Sequence, residues 1–175
     1  VNHNILLGKL KHYGVRGLSL NWFQSYFYNR KQHVKISGGQ SNNKVIKCGV
    51  PQGSTLGPLL FFIYINDMNF LFEHCSIRDF VDDTNIIYSS SNIKTIENVV
   101  SYELKKLVKW MKANLLSLNE TKTELVIFRS IGKSLPTNFF IKINKFKLKP
   151  VKVVMTNFVG PTKLIIYVIS CQELM

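Results

Sequence analysis

The sequence has few carboxylates for its length. Its 175 residues include 10 Asp and Glu against 23 Lys and Arg, a formal net charge of +13, and the basic residues are spread along the whole chain. Basic proteins attract nucleic acid because binding releases counterions condensed on the phosphates, although an anionic membrane surface attracts the same charge. A polyanion, with nucleic acid favoured, is therefore the expected partner.

Cysteine is also scarce and has no pattern. Cys48, Cys75 and Cys171 are odd in number and far apart, so the sequence predicts neither a disulfide framework nor a zinc site. The four histidines have no Cys or carboxylate at ligand spacing, which favours packing or solvent-facing roles over metal ligation. A reducing compartment fits this cysteine usage.

Long apolar runs and a signal segment are missing as well. The runs Leu59 to Ile65 and Leu164 to Ile169 are too short to cross a bilayer, and no N-terminal stretch has the order of a signal peptide. We therefore expect an intracellular protein, nuclear or cytoplasmic, with no membrane partner. The chain begins with Val1 rather than Met, which indicates that residues precede it in the parent protein.

Helical spacing of apolar residues predicts four helices in this chain, of which 46% is hydrophobic. They cover residues 4–13, the segment after a Ser19 cap, the apolar run after Ser54 or Thr55, and residues 93–113 after a Ser91 or Asn92 cap. We expect the third helix to be buried on all sides. The second helix carries an aromatic stripe that we expect to pack on the core, with base stacking as the alternative: Trp22, Phe23, Tyr26 and Phe27.

Period-two alternation predicts the strands. A basic hairpin is expected over residues 33–47 with its turn at 37–43, a tight strand-turn-strand around Asp82-Asp83, a short strand at 125–128 and a second basic hairpin at 139–149. After Pro150 the pattern degrades. The expected result is one compact α+β unit with an irregular C-terminal end.

The strongest candidate site is Phe80-Val81-Asp82-Asp83-Thr84, two adjacent carboxylates between apolar, β-branched arms. Mg²⁺ binds few protein carboxylates together with substrate phosphates and water, and two such ions about 3.5–4 Å apart clamp the attacking and leaving oxygens of phosphoryl transfer. An Asp pair at a hairpin tip suits that task. The alternative is that Asp-Asp is ordinary turn chemistry.

A second candidate precedes it at Val50-Pro51-Gln52-Gly53-Ser54, a loop that leads into an apolar helix. Gly53 permits close approach of a nucleotide or template strand, Gln52 offers a donor and an acceptor, and a helix N-terminus favours phosphate. The alternative is a tight turn before a buried helix. The order and spacing of the two candidates carry more weight than either does by itself.

The chain resembles the reverse transcriptases of non-LTR retrotransposons through three motifs. These are Val50-Pro51-Gln52-Gly53-Ser54 with Leu56-Gly57-Pro58, then Tyr64-Ile65-Asn66-Asp67, then Phe80-Val81-Asp82-Asp83-Thr84. The family's tetrad is aromatic-Ala-Asp-Asp, so Val81 is a departure that adds bulk beside the metal site. The resemblance implies that Asp82 and Asp83 are catalytic and hold the metal. It also implies a nucleotide and template pocket lined by Pro51, Gln52, Gly53, Ser54 and Phe80.

A further segment resembles the family's tryptophan helix and the lysine turn after it. It comprises Trp110, Asn114, Leu116, Leu118-Asn119 and Lys122-Thr123. The lysine of that turn is thought to assist protonation of the pyrophosphate leaving group, so the resemblance implies a catalytic role for Lys122. A solvated turn lysine is the alternative.

The resemblance covers residues 1–130, which we interpret as a palm and fingers fragment, and leaves residues 131–175 as a degenerate palm-to-thumb tail. The implied fold is α+β, the palm of a right-hand polymerase with an antiparallel sheet, backing helices, partial fingers and the start of a thumb. Val1-Asn2-His3 looks like the stretch right after the family's first acidic motif, whose Asp is absent here.

The resemblance implies an RNA-directed DNA polymerase that uses two Mg²⁺ ions, an RNA template, a DNA primer and dNTP. Because the first acidic motif is missing, we expect this chain to be incomplete and inactive. The alternative is a non-catalytic basic nucleic-acid-binding relic or domesticated fragment. The aromatic-x-Asp-Asp tetrad argues against a viral RNA-copying polymerase, which has Gly-Asp-Asp, and the Tyr-Ile-Asn-Asp helix end argues against a group II intron maturase.

In such an enzyme the Gln52-Gly53 loop and the Asp82-Asp83 pair must both face the same nucleotide. We therefore expect the Asp82-Asp83 tip and the Gln52-Gly53 loop to lie close together in space. We also expect Lys and Arg side chains of residues 31–47 to border the same cleft as a positive wall for a duplex.

Overall fold

The computed structural model describes residues 1–51, 53–80, 83–119, 121–131, 134–143, 146–156, 161–169 and 171–173. Contacts divide the chain into two compact units, Val1–Asn66 and Asp67–Met175, rather than the one expected. We call them the helical unit and the sheet unit. Each has elements that pack mainly among themselves. Among the described residues, the first contains three helices and four short strands, and the second contains the longer strands and one long helix.

The core of the helical unit lies between helices α1 (His3–His12) and α3 (Leu56–Ile65). Asn2 begins α1 by accepting a hydrogen bond from the Ile5 N–H, and Gly14 follows its end with φ +94°. The predicted helix and its stop are thus confirmed. The side chains that fill this core are almost fully buried: Leu6, Leu10, Leu60 and Tyr64.

Helix α2 (Leu18–Phe27) differs from its prediction at both its start and its packing. Gly17, with φ +58°, precedes the first turn, and no side chain caps it, so the predicted Ser19 cap is wrong. Of the aromatic stripe only Phe27 is buried, whereas Trp22 is 52% exposed. The prediction that Trp22 packs on the core is therefore wrong. Its ring stacks on Tyr26 of its own helix instead.

The predicted basic hairpin is present with a different register. Strand β1 (Lys31–Gln32) pairs with β4 (Lys44–Val45), and β2 (Lys35–Ile36) pairs with β3 (Gly39–Gln40), all antiparallel. The tight turn is therefore at residues 37–38 instead of spanning 37–43. All four strands are exposed.

Helix α3 ends at Ile65, close to the predicted end, and continues as a 3₁₀ helix over Asn66–Leu71. Burial on all sides is wrong, since Leu59 is 54% and Phe62 44% exposed. An apolar side chain on a helix is buried only where another element packs against it.

The sheet unit is built on a five-stranded sheet in the order β11-β8-β12-β6-β5. Its strands are β5 (Ser76–Phe80), β6 (Asp83–Ser90), β8 (Thr123–Ser130), β11 (Pro150–Thr156) and β12 (Thr162–Ile169). Strand β11 runs parallel to β8, while the other pairs are antiparallel. The described sheet is thus mixed: three of its four strand pairs are antiparallel, as expected, and the pair β8–β11 is parallel.

Helix α4 (Ile93–Ala113) follows β6 and packs against that sheet. Its cap is Asn92, whose side chain accepts from the N–H groups of Lys94 and Thr95. The predicted helix is confirmed, because its apolar stripe is buried: Ile96, Val100, Leu104, Leu107 and Met111.

The remaining strands complete the sheet unit. Strand β9 (Ile141–Ile143) pairs with β10 (Phe146–Leu148) as the predicted hairpin, and β13 (Cys171–Glu173) pairs with β7 (Leu116–Leu118). The segment after Pro150 is more regular than its sequence indicates, because β12 lies between β8 and β6 and pairs with both.

Candidate functional site

The candidate carboxylate pair lies at the end of the antiparallel pair β5–β6. The last two residues in register are Phe80 and Asp83, which leaves Val81 and Asp82 as the connection. Val81 and Asp82 lie outside the described residues, whereas Asp83 is the first residue of β6 and is half-buried. The two predicted arms are confirmed as paired strands, with Asp83 inside β6 rather than in the turn, and the turn itself lies outside the described residues.

Strand β6 is held from three sides. It pairs with β5 on one edge and with β12 on the other, where Ile169 stands opposite Asp83. Thr84 and Ile86, on the face opposite to Asp83, are buried in the core. Asp83 is therefore attached to a strand that cannot rotate or slide without breaking two ladders.

Two buried oxygens near the tip were not identified from the sequence. Asn85 lies two residues after Asp83 and so on the same face of β6, and Asp79 is paired with Thr84 on the other face. Among the described residues neither Asn85 Oδ1 nor Asp79 Oδ1 has a hydrogen-bond partner, and both are buried. The alternation of β6 is the signal that would have placed Asn85 beside Asp83.

The candidate loop is a tight turn that leads into α3. Ser54 Oγ donates to the Pro51 carbonyl oxygen (2.7 Å) and accepts from the Gly57 N–H (3.0 Å). Gly53 has φ +74°, a left-handed conformation that favours glycine. Thr55 is the N-cap residue of α3 and its side chain makes no capping hydrogen bond, so Ser54 Oγ is the acceptor for the Gly57 N–H in the first turn. Gln52 lies outside the described residues.

Gly57 is confined by the same turn. A Cβ at this position would lie 2.8 Å from the Pro51 carbonyl oxygen and 3.2 Å from Ser54 Oγ. The motif from Pro51 to Gly57 is thus one hydrogen-bonded structure in which glycine is required for space.

Lys122 lies in the turn between β7 and β8 and is exposed. Its N–H donates to the Asn119 carbonyl oxygen (3.2 Å), and Thr123 Oγ1 donates to the same oxygen (2.7 Å). Asn114, after the end of α4, donates from its side chain to the Trp110 carbonyl oxygen (3.0 Å). The tryptophan helix and the lysine turn are formed as the sequence indicates, and the catalytic role of Lys122 stays a prediction.

The helical unit contains a cavity of about 580 Å³ beside the candidate loop. Arg30, Lys31 and Pro51 are among its lining residues, as is His3, whose Nε2 is 2.8 Å from the Gly49 carbonyl oxygen. The ring of His3 stacks on Phe27 with a centroid distance of 4.6 Å, in agreement with the packing role predicted for the histidines.

The loop belongs to the helical unit and the hairpin to the sheet unit. Gln52 and Asp82, on which their predicted closeness rests, lie outside the described residues. That closeness, and the positive wall formed by residues 31–47, therefore stay predictions. Within the described ranges no three His, Cys, Asp or Glu side chains gather as a metal-binding group.

No helix in the part of the chain that the structure describes is both long and apolar enough to cross a membrane.

Comparison with known proteins identifies the family. The family model for reverse transcriptase (RNA-dependent DNA polymerase) matches residues 1–160. The chain is 28% identical over 134 residues to the probable RNA-directed DNA polymerase from transposon BS of Drosophila melanogaster, which is 69% of this chain and 14% of that protein. It is 29% identical over 120 residues to the RNA-directed DNA polymerase from mobile element jockey of the same species, which is 65% of this chain and 13% of that protein.

A third relative is the retrovirus-related Pol polyprotein from type-1 retrotransposable element R1 2 of Nasonia vitripennis, 28% identical over 99 residues, or 55% of this chain and 24% of that protein. The matched part is thus a small share of each relative's own length. No solved structure matches the chain. The three motifs, the strand register around Asp83 and the match over residues 1–160 together place this chain in the reverse transcriptase family, among the relatives from non-LTR retrotransposons.

Proposed function

We propose that the chain is part of the palm and fingers of a mobile-element polymerase that extends a DNA 3′ end on an RNA template. The observation that supports this most is the register of β5 and β6, because it ends at Phe80 and Asp83 and leaves only Val81 and Asp82 to connect the strands. Carboxylates that follow two paired strands are fixed in position, so they suit a metal ion that also contacts a substrate phosphate.

Reverse transcriptases use divalent metal ions, and we propose Mg²⁺ for this chain, held by Asp82 and Asp83. The half-buried Asp83 offers the hard oxygen ligand that Mg²⁺ prefers. When bound, the ions would neutralise charge on the phosphates of the incoming dNTP. Asn85, on the same face, offers an amide oxygen that can accept a hydrogen bond from a bound water or sugar hydroxyl.

The turn from Pro51 to Gly57 supports a second contact. Its Ser54 hydrogen bonds hold Gly53 at the start of α3, where a backbone without a side chain permits close approach of a nucleotide or template strand. The nucleotide and template pocket would be lined by Pro51, Gln52, Gly53, Ser54 and Phe80.

Lys122 is exposed in the turn between β7 and β8. It would protonate the leaving pyrophosphate.

Nucleic-acid binding without catalysis is the second candidate, and the net charge of +13 favours it. Two ions need carboxylates from two separated strands, whereas the candidate carboxylates of this sequence, Asp82 and Asp83, are adjacent. We propose that the chain by itself binds primer-template weakly and incorporates no nucleotide.

Primer extension on three proteins tests the proposal. The first is this chain, the second adds a family-like upstream segment ending in Phe-Asp together with the rest of the fingers and thumb, and the third is the second with Asp82→Asn. We expect extension only from the second protein, because Asp82→Asn removes a charged ligand.

Glu124→Gln in the restored enzyme is the matched control, since Glu124 is an exposed carboxylate in the same unit. Its extension rate should match that of the restored enzyme. Extension by this chain alone, or an unchanged rate with Asp82→Asn, would contradict the metal site. Salt-dependent binding without extension by the restored enzyme would favour the second candidate.

A further inference from the structure

Helix α2 presents an uncovered apolar stripe at a spacing of four residues. Leu18 is 88% and Trp22 52% exposed, and Tyr26 continues the stripe one turn later. From the geometry and charge of this surface we propose that Trp22, Tyr26 and Arg30 form a stacking platform for single-stranded nucleic acid. We call these three residues the platform.

The platform is ordered before any ligand arrives. The rings of Trp22 and Tyr26 stack with centroids 5.3 Å apart and an interplanar angle of 17°. Phe23 meets Trp22 edge-on at 5.0 Å, which restricts the indole further. Little rotamer entropy is therefore lost when a base stacks on the exposed indole.

Arg30 extends the stack beyond the end of the helix. Tyr28 follows the last residue of α2, and Asn29 has φ +48°, a left-handed conformation that Asn tolerates. The chain then places the Arg30 guanidinium over the Tyr26 ring, with Cζ 4.9 Å from the centroid. A planar cation in this position both continues the stack and pairs with phosphate.

A shallow groove of about 430 Å³ borders the indole and is lined by Leu18, Ser19, Trp22 and Phe23. Its walls are apolar except for the Ser19 hydroxyl. A base that stacks on Trp22 would fill this groove with a flat ring and leave its polar edge in water.

The charge of the helical unit favours a polyanion as the occupant. The first 66 residues contain no Asp or Glu. Their cations, eight in number, are therefore not neutralised by carboxylates of the same unit: Lys9, Lys11, Arg16, Arg30, Lys31, Lys35, Lys44 and Lys47. An apolar protein partner would desolvate Arg30 without a counter-ion, whereas a nucleic acid supplies phosphate and base together.

Single strands fit the platform better than duplexes, because duplex bases are already stacked and offer no free ring face away from the ends. RNA and DNA share this chemistry. The platform rests on the proposed function only in taking nucleic acid as the partner, since stacking needs neither Asp83 nor a metal ion.

The test is a titration of the whole chain with fluorescein-labelled oligouridylate or oligothymidylate of about 20 nucleotides, in EDTA so that nucleotidyl transfer plays no part. We expect both strands to quench the emission of Trp22. Trp22→Ala should weaken binding about ten-fold, as expected for the loss of one stacked base, while Trp22→Phe should retain most of the affinity. Arg30→Gln should remove about one phosphate contact, which is measured as a shallower slope of log affinity against log salt concentration.

Tyr28→Ala is the matched control, because Tyr28 is an aromatic residue 83% exposed just after the same helix but absent from the stack. Its affinity should stay within about two-fold of the original, well below the cost of a lost stack. Equal affinity of the original and Trp22→Ala proteins would overturn the platform. So would a change of association state with Trp22→Ala at unchanged nucleic-acid affinity, which would assign this surface to a protein contact. Failure of primer extension would leave the binding result unaffected.

Discussion

At the scale of single residues, two helical glycines have opposite surroundings. Gly57, in the first turn of α3, lies against the Pro51 carbonyl oxygen, which is only 2.8 Å from where a Cβ would stand. A Cβ on the exposed Gly8 of α1 would meet nothing within 4 Å. A glycine in a helix costs about 1 kcal/mol relative to alanine unless the missing side chain is needed for space.

We therefore expect Gly8→Ala to raise the free energy of unfolding by about 1 kcal/mol and Gly57→Ala to lower it. In Gly57→Ala the new methyl group must push away backbone atoms of Pro51, which breaks the Ser54 hydrogen bonds. Urea unfolding monitored by circular dichroism measures both changes. A stabilising Gly57→Ala would show that the turn from Pro51 to Gly57 is looser than its hydrogen bonds indicate.

At the scale of elements, a buried carboxylate ties α4 to the segment before β5. Glu103 is fully buried and its Oε1 accepts from the N–H groups of Glu73 and His74, each at 3.3 Å. Lys106 pairs with Glu103 Oε2 at 2.8 Å and with Glu73 Oε1 at 3.1 Å. Burial, and then the Glu103 carboxylate, raise the pKa of Cys75 to about 12, so this thiol stays protonated and packs as an apolar group.

We expect Lys106→Met to lower the melting temperature, because the buried Glu103 loses its counter-ion. Hydrogen bonding to Glu103 raises the pKa of Lys106 above its ordinary 10.5. The stabilisation is therefore fully present below pH 10.5 and is lost as the pH rises through the higher pKa of the folded state.

Melting temperatures of the original and Lys106→Met proteins, measured from neutral to strongly alkaline pH, check this prediction. Their difference should be constant up to the ordinary lysine pKa and should shrink above it. Lys105→Met, an exposed lysine on the same helix, is the matched control and should change little. A difference that grows with pH would contradict the pairing.

At the scale of the whole molecule, the centre of the sheet is formed by a strand beyond the family match. The match ends at residue 160, and β12 begins at Thr162 between β6 and β8. A central strand satisfies the hydrogen bonds of two neighbours, so its loss exposes two ladders at once.

We expect a chain that ends at residue 160 to lose hydrogen-exchange protection at the amides of β6 and β8 that now face β12. A chain that ends at residue 170 keeps β12 and should retain that protection, which makes it the matched control. Equal protection in both truncated chains would show that β6 and β8 pair directly when β12 is removed.

The sequence by itself determined the elements whose signals are local. The spacing of apolar residues in α4, the alternation around Asp82-Asp83 and the Gly14 stop each depend on neighbours along the chain. The motifs around Pro51 and Asp83 also pointed to the family that the match over residues 1–160 shows, because a resemblance of this kind rests on residue types and their spacing along the chain.

Only the tertiary structure decided which surfaces are covered. Trp22 and Leu59 belong to apolar patterns and are exposed, whereas β12 comes from a stretch with no clear pattern and lies in the middle of the sheet. Burial and strand order depend on which distant segments pack together, and the pattern of one segment does not specify its partner. Likewise, only the register of β6 showed that Asn85 lies on the same face of the strand as Asp83.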